Sequence, residues 1–203
     1  MLVTADTPFT RLVANDLEKE YIQYGEVGQS NEALFRYISK VNAENRNTII
    51  IVLFTLLQRK ELVDKDNLLY TGFHWNNYKQ QQRKKQTENF YINLYNETQV
   101  SAEFWRQHLD AKMACLHRRN RLISVWDRWD GYLNSDIINT IYDNKPSITP
   151  SFFRDLSLDK DCFVDTSFAD FCKNSGMLQD DGHGDEKAHK YFSKLLIEGK
   201  NVS

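Results

Sequence analysis

The sequence predicts an α/β protein built on an open parallel sheet with helices on both faces. Three observations carry this expectation. Residues 48–54 form an almost unbroken β-branched and aliphatic run, the pattern of a strand buried on both faces. Residues 121–126 form a second apolar run, separated from the first by helical patterns. Strand-like and helix-like segments alternate along the chain, as they do where crossover helices join the strands of an open sheet.

The elements follow in order. Phe9, Leu12, Val13 and Leu17 recur at helical spacing, so a helix should start at Thr7 or Pro8 and end near Lys19. Tyr21-Ile22-Gln23-Tyr24 then reads as a short strand, stopped by the glycine loop Gly25-Glu26-Val27-Gly28. Ser30 or a neighbour caps a second helix whose apolar face is Leu34, Tyr37, Ile38 and Val41. After the strand over residues 48–54, the chain from about residue 58 to about residue 98 is polar and aromatic, with Phe73, Trp75, Tyr78, Phe90, Tyr91 and Tyr95. It reads as a long insertion with some helix. Val100-Ser101 would staple and cap a helix reaching Leu116, with Trp105, Leu109, Met113 and Leu116 on one side. The strand over residues 121–126 is next, and a final helix from about Asp185 to Ile197 turns Ala188, Tyr191, Phe192, Leu195 and Leu196 inward.

The 203 residues fit a single domain, 1–203. With 41% hydrophobic and 13% aromatic residues against a net charge of -2, the chain can fill a core and is not of disordered composition. The near-neutral balance argues against a nucleic-acid partner held by phosphate contacts. The clusters Arg83-Lys84-Lys85 and Arg118-Arg119 with Arg121 read as solvated surface. Cys115, Cys162 and Cys172 have no CxxC spacing and are odd in number, which fits a reducing, cytoplasmic setting better than a disulfide framework. The longest apolar run, residues 49–57, is far below the ~20 residues of a membrane span, and no charged-then-apolar signal segment opens the chain. No membrane partner is expected.

Ligands of open α/β sheets gather beyond the carboxyl ends of the strands, which draws three segments together. In Gly25-Glu26-Val27-Gly28-Gln29-Ser30-Asn31 a glycine can turn a backbone N–H toward a bound oxygen, or can serve only a turn that needs positive φ. Phe54-Thr55-Leu56-Leu57-Gln58-Arg59 brings Thr55, Gln58 and Arg59 to the end of the central strand, as site residues or as a solvated strand end. Asp180-Asp181-Gly182-His183 sets carboxylates beside an imidazole just before a helix. That pairing fixes the ring tautomer for general-base work, or else the acids are helix caps around an incidental histidine.

In this order the segments resemble the SGNH (GDSL-like) esterase and acylhydrolase family, in its divergent phage and bacterial type. Gly28-Gln29-Ser30-Asn31 matches a Gly-x-Ser-Asn block that enters a helix. Asp180, His183 and His189 match an Asp-x-x-His block followed by a helix with a second histidine, and Phe54-Thr55 with Arg59 looks like the block between them. The resemblance implies a three-layer SGNH/flavodoxin-like sheet and an ester or acyl hydrolase acting on a small-molecule or glycan ester, without cofactor or metal. It implies His183 as the base and Asp180 as its orienting acid, with Asp181 the competing choice. Gly28 would be an oxyanion donor, of a kind worth about 3 to 4 kcal/mol, with Ser30, Asn31, Thr55, Gln58 and Arg59 around the substrate. Phage-type membership adds virion association as an alternative to a free cytoplasmic protein.

The sequence departs from the family pattern in three places. The block with the nucleophilic serine should precede the first helix, yet Met1 to Asp6 contain no serine. The asparagine of the middle block is absent from residues 54–58, where Gln58 could substitute, and Gly184 replaces the common proline after the histidine, a change that would loosen the start of the helix. Either the sheet lacks a first strand that belongs upstream, or the chain is a degenerate member that keeps the site's shape without its nucleophile. In both cases this chain alone should turn over little substrate.

Two other classes stay open. Trp75, Tyr78, Trp126, Trp129 and Tyr132 could make a non-catalytic carbohydrate- or protein-binding module by ring stacking, or a second small core. Asp180, Asp181, His183 and His189 have the residue types of a metal site, although two histidines six residues apart do not face together on one helix. His74, His108 and His117 read as surface.

Overall fold

The computed structural model describes residues 8–24, 29–55, 57, 59–63, 69–71, 81–127, 164, 166–179 and 183–199. Among the described residues the elements are α1 (Phe9–Asp16), α2 (Asn31–Glu44), β1 (Ile49–Phe54), β2 (Glu61–Val63), β3 (Leu69–Thr71), α3 (Gln81–Asn93), α4 (Glu97–His117), β4 (Arg121–Trp126), α5 (Phe168–Asn174) and α6 (Glu186–Gly199). β1 and β4 run parallel, in register from Ile49 opposite Arg121 to Phe54 opposite Trp126. The bonds Arg121 N–H to Thr48 O (2.8 Å) and Asp127 N–H to Phe54 O (2.8 Å) extend the ladder at both ends. β2 and β3 form a separate antiparallel pair.

Side chains alternate across a strand, so each strand feeds two cores. Ile50, Val52 and Phe54 of β1, with Leu122 and Trp126 of β4, pack against Phe35 and Ile38 of α2 and against Val100, Phe104 and Cys115 of α4. On the opposite face Ile123 and Val125, flanked by the half-buried Ile49, Ile51 and Leu53, meet Phe9 and Val13 of α1, Phe168 and Cys172 of α5, and Ala188, Phe192 and Leu196 of α6. Helices therefore cover both faces of the parallel pair, and the chain is mixed α/β. Phe54, fully buried, touches the rings of Phe35, Phe104 and Trp126 at centroid distances of 5.0 to 5.8 Å. Burying such a ring stabilises by about 3 kcal/mol.

A polar cluster closes the amino ends of the strands. Asn120, just before β4, accepts the Thr48 N–H (2.9 Å) and donates to Asn42 Oδ1 (2.7 Å) and to Asn45 O (3.1 Å). Asn42 in turn donates to Ala114 O at 3.1 Å, and Arg118 donates to the carbonyls of Asn42 and Ala43 at the end of α2. One side of the basic cluster at Arg118 is thus a helix C-terminal cap, which its charge suits.

Several expectations need correction. Residues 21–24 form no strand: Ile22 is exposed, and the Tyr21 hydroxyl is shared between Thr10 and Gln23 beside α1. α1 stops at Asp16 because the chain turns at Leu17 and Glu18, the latter with φ 52°. On α2 the buried side is Ala33, Phe35, Ile38 and Asn42, while Tyr37 lies half-exposed against Tyr24. α4 begins at Glu97, capped by the Asn96 side chain on the Gln99 N–H (2.9 Å), and it buries Val100, Phe104, His108 and Cys115. Leu109, Met113 and Leu116 face outward, because the heavier stripe carrying Phe104 takes the sheet side. On α6, Tyr191 is half-exposed and Ser193 is buried in place of the expected inner position. The region of the expected insertion contains the β2–β3 pair, α3 and the first two residues of α4. α5 has no counterpart in the sequence reading.

Candidate functional site

The carboxyl end of β1 is shaped by the start of α2. Ser30 is the N-cap residue, and its hydroxyl accepts the Ala33 N–H at 3.2 Å, the usual economy for an orphan helix donor. Asn31, the first helical residue, reaches across to the strand end. Its Oδ1 accepts the Thr55 N–H at 2.9 Å and its Nδ2 donates to the Thr55 carbonyl at 3.0 Å. Both partners are buried, so this two-point clamp fixes where β1 ends relative to α2. Among the described residues the buried Thr55 hydroxyl has no hydrogen-bond partner. Around the start of α2, Gln29 Oε1 and Glu32 Oε2 are likewise buried without a partner among the described residues, while the other Glu32 oxygen pairs with Lys60. Lys60 also lies 4.0 Å from Glu103 of α4, and Arg36 binds Glu61 through both guanidinium nitrogens at 2.6 and 2.8 Å, which tethers β2 to α2.

The carboxyl end of β4 continues into α5. Asp127 bonds through its N–H to Phe54 O, and its own carbonyl accepts the Ala169 N–H at 2.8 Å. Ser167 caps α5: its hydroxyl accepts the Asp170 N–H at 3.0 Å and donates to Asp170 Oδ2 at 2.7 Å. Val164 N–H donates to Ser124 O at 3.1 Å, which seats Val164 against β4.

The His183 segment docks onto α5. An antiparallel bridge between Leu178 and Gly184, with the Gln179 N–H on His183 O (2.7 Å) and the Asp185 N–H on Met177 O (3.0 Å), closes the base of this turn. Asp185 Oδ1 accepts the Ala188 N–H at 2.7 Å and caps α6. Gly184 packs so closely that a β-carbon would stand 2.7 Å from Cys172 Sγ and 2.9 Å from Phe168 Cζ. The fit against α5 therefore leaves room only for glycine at this position. His183 itself is exposed.

His189 serves a different end. Its Nδ1 accepts the backbone N–H of Phe9 at 3.2 Å, and its ring lies 4.8 Å from the Phe168 ring. Burial lowers its pKa, and Asp185 opposes that shift without cancelling it. A nitrogen that accepts an N–H is not free to bind a metal, so His189 does not fit the metal set considered from sequence. Among the described residues no group of three potential metal ligands is found.

Of the residues singled out in the sequence, Ser30, Asn31 and Thr55 are brought together. Arg59 lies half-buried just beyond them. Gly28, Gln58, Asp180 and Asp181 lie outside the described residues, as do Trp75, Tyr78, Trp129, Tyr132, Cys162 and His74. Trp126 is buried between Phe54 and Phe104 and offers no face to a sugar. His108, expected at the surface, is fully buried, and its Nε2 shares a hydrogen bond of 2.8 Å with the buried Ser124 hydroxyl. Their separation of sixteen residues across two elements left no local signal. Cys115 and Cys172 are free and buried, and burial pushes both thiols up to about 11, for Cys172 with help from Asp185 and Asp127. Neither can be a thiolate nucleophile at neutral pH.

Comparison of the chain with protein-family models, with curated proteins and with solved structures finds no match. Among the described residues no helix is long and apolar enough to cross a membrane.

Proposed function

We propose that the chain is an SGNH-type hydrolase domain on a three-layer α/β framework, acting on ester or acyl groups of a small molecule or glycan. What supports this most is one junction. The Ser30-Asn31 start of α2 clamps the end of β1, Asp127 links that end to α5, and α5 packs against Gly184, the residue after His183. In sequence order these are the three segments that resemble the family's blocks.

In this proposal His183 is the general base, oriented by Asp180 or Asp181. Its exposure suits a base that must reach a proton on an incoming hydroxyl. The Thr55 hydroxyl, buried and unspent, is a donor available to a developing oxyanion, alongside the backbone N–H of Gly28. Asn31, with its carboxamide held by the Thr55 backbone, sets the position of that hydroxyl. The proposed setting is the cytoplasm, with virion association as the alternative.

One observation favours a second reading. Ser30 and Ser167 cap helices and Ser124 holds His108, so none of these three is a nucleophile beside His183. A non-catalytic carbohydrate- or protein-binding module that retains the fold would need none.

Short aryl esters separate the two. The chain is assayed alone and together with whatever in-frame sequence adjoins it upstream, each with and without His183→Ala. A hydrolase gives turnover in the extended protein that His183→Ala lowers by about 10³-fold. Absence of turnover there, or turnover indifferent to His183→Ala, overturns the proposal and leaves the binding module.

A further inference from the structure

We propose that His189 is an acid-sensitive latch: as the neutral imidazole it accepts the Phe9 N–H and holds the amino end of α1 against the first turns of α6, and on protonation it releases that end. The inference does not depend on the hydrolase proposal.

The geometry fixes the ring's state. The bond from the Phe9 N–H to His189 Nδ1 is 3.2 Å, and an acceptor nitrogen carries no proton. His189 is therefore the neutral Nε2–H tautomer. Phe9 is the first residue of α1, one of the four whose N–H groups have no partner within the helix. The N-cap residue is Pro8, whose side chain makes no capping bond, so His189 does from a distant helix what a serine or aspartate does locally. The ring is wedged between Phe9, stacked at 6.0 Å and 15°, and Phe168 at 4.8 Å.

Protonation removes this arrangement in two ways. The imidazolium has N–H groups at both nitrogens, so it would point a donor at a donor. It would also bury a charge beside the positive end of the α1 helix dipole. The groups that face the ring are few among the described residues. From α1 it meets Phe9 and from α5 it meets Phe168, and neither titrates. Arg11 of α1 lies over the Tyr21 ring, and Asp170 of α5 is held by Ser167. Asp185, which caps α6, favours the cation, but burial outweighs it and the pKa falls below the ordinary 6.5.

A histidine whose pKa is lowered by folding binds its proton more readily when unfolded. Its contribution is therefore present above pH 6.5 and is lost as the pH falls below that value. The release is local, because Phe9 still meets Phe192 edge-on at 5.0 Å and Val13 remains in the core.

Amide hydrogen exchange of residues 9–12, corrected for intrinsic rates, reads the latch from pH 7.5 to 5 in the wild type, His189→Asn and His189→Phe. As the pH falls from 6.5 toward the lowered His189 pKa, the wild-type opening equilibrium at Phe9 should rise by up to about tenfold per pH unit and level off below that pKa, while both variants stay flat. A flat wild-type profile, or the same slope in either variant, overturns the proposal. Should His189→Phe fail to fold, ring ¹⁵N shifts in the wild type decide. Nδ1 unprotonated at neutral pH with a midpoint below 6.5 supports the latch, and a protonated Nδ1 or a midpoint above 6.5 contradicts it.

Discussion

The two ends of the β1–β4 pair use their buried polar groups in opposite ways. At the amino end, Asn42 and Asn120 bond through both carboxamide atoms, tying α2, α4 and the start of both strands into one cluster. At the carboxyl end, Asn31 is similarly committed, but the Thr55 hydroxyl, Gln29 Oε1 and Glu32 Oε2 are buried with no partner among the described residues. Folded proteins leave few buried polar atoms unpaired, since each costs about 1 to 3 kcal/mol. The contrast teaches that one end is organised for stability, and that the other holds polar groups stability does not use.

Substitutions at the two ends should therefore behave differently. The largest loss is expected from Asn120→Ala, which leaves the Thr48 N–H, Asn42 Oδ1 and Asn45 O unpaired at once. It should lower stability by about 3 kcal/mol, read as a fall in the urea midpoint with unchanged m. Gly184→Ala comes next, at about 1 to 3 kcal/mol, because its new methyl meets Cys172 and Phe168 at less than 3.0 Å. A midpoint equal to wild type would show that α5 can yield. Thr55→Val should be the smallest, within about 0.5 kcal/mol or slightly stabilising, because a hydroxyl without a partner is replaced by a methyl of the same shape. A loss comparable to Asn120→Ala would break the contrast between the ends.

Much of this framework was legible in the sequence. The β-branched run of β1 and the six residues of β4 need burial on two faces, and only a helix-covered parallel pair supplies it. Ser30 as a cap and the helix after Asp185 also follow from local chemistry. The faces of α2 and α4 did not, because each helix carries two apolar stripes, and the choice is made by Phe35 and Phe104 meeting Phe54 across the sheet. The strand expected at residues 21–24 failed for the converse reason: so short an apolar segment makes no strand without a neighbour to pair with, and none pairs with it among the described residues. At the candidate site, Ser30, Asn31 and Thr55 were identified, but their division of labour was hidden. The clamp joins residues twenty-four apart, and neither residue type announces its partner. His108 with Ser124, and His189 with Phe9, are likewise long-range pairs with no local signature.

The claim that function sits at the carboxyl end is tested most directly by backbone amide shift mapping, titrating the chain with p-nitrophenyl butyrate and with its product butyrate. The account predicts shifts centred on Ser30, Asn31, Thr55, Asp127 and His183, with Asn42, Thr48 and Asn120 unmoved. Shifts centred on the asparagine cluster, on the outer stripe of Leu109, Met113 and Leu116, or nowhere at saturating ligand, would contradict it.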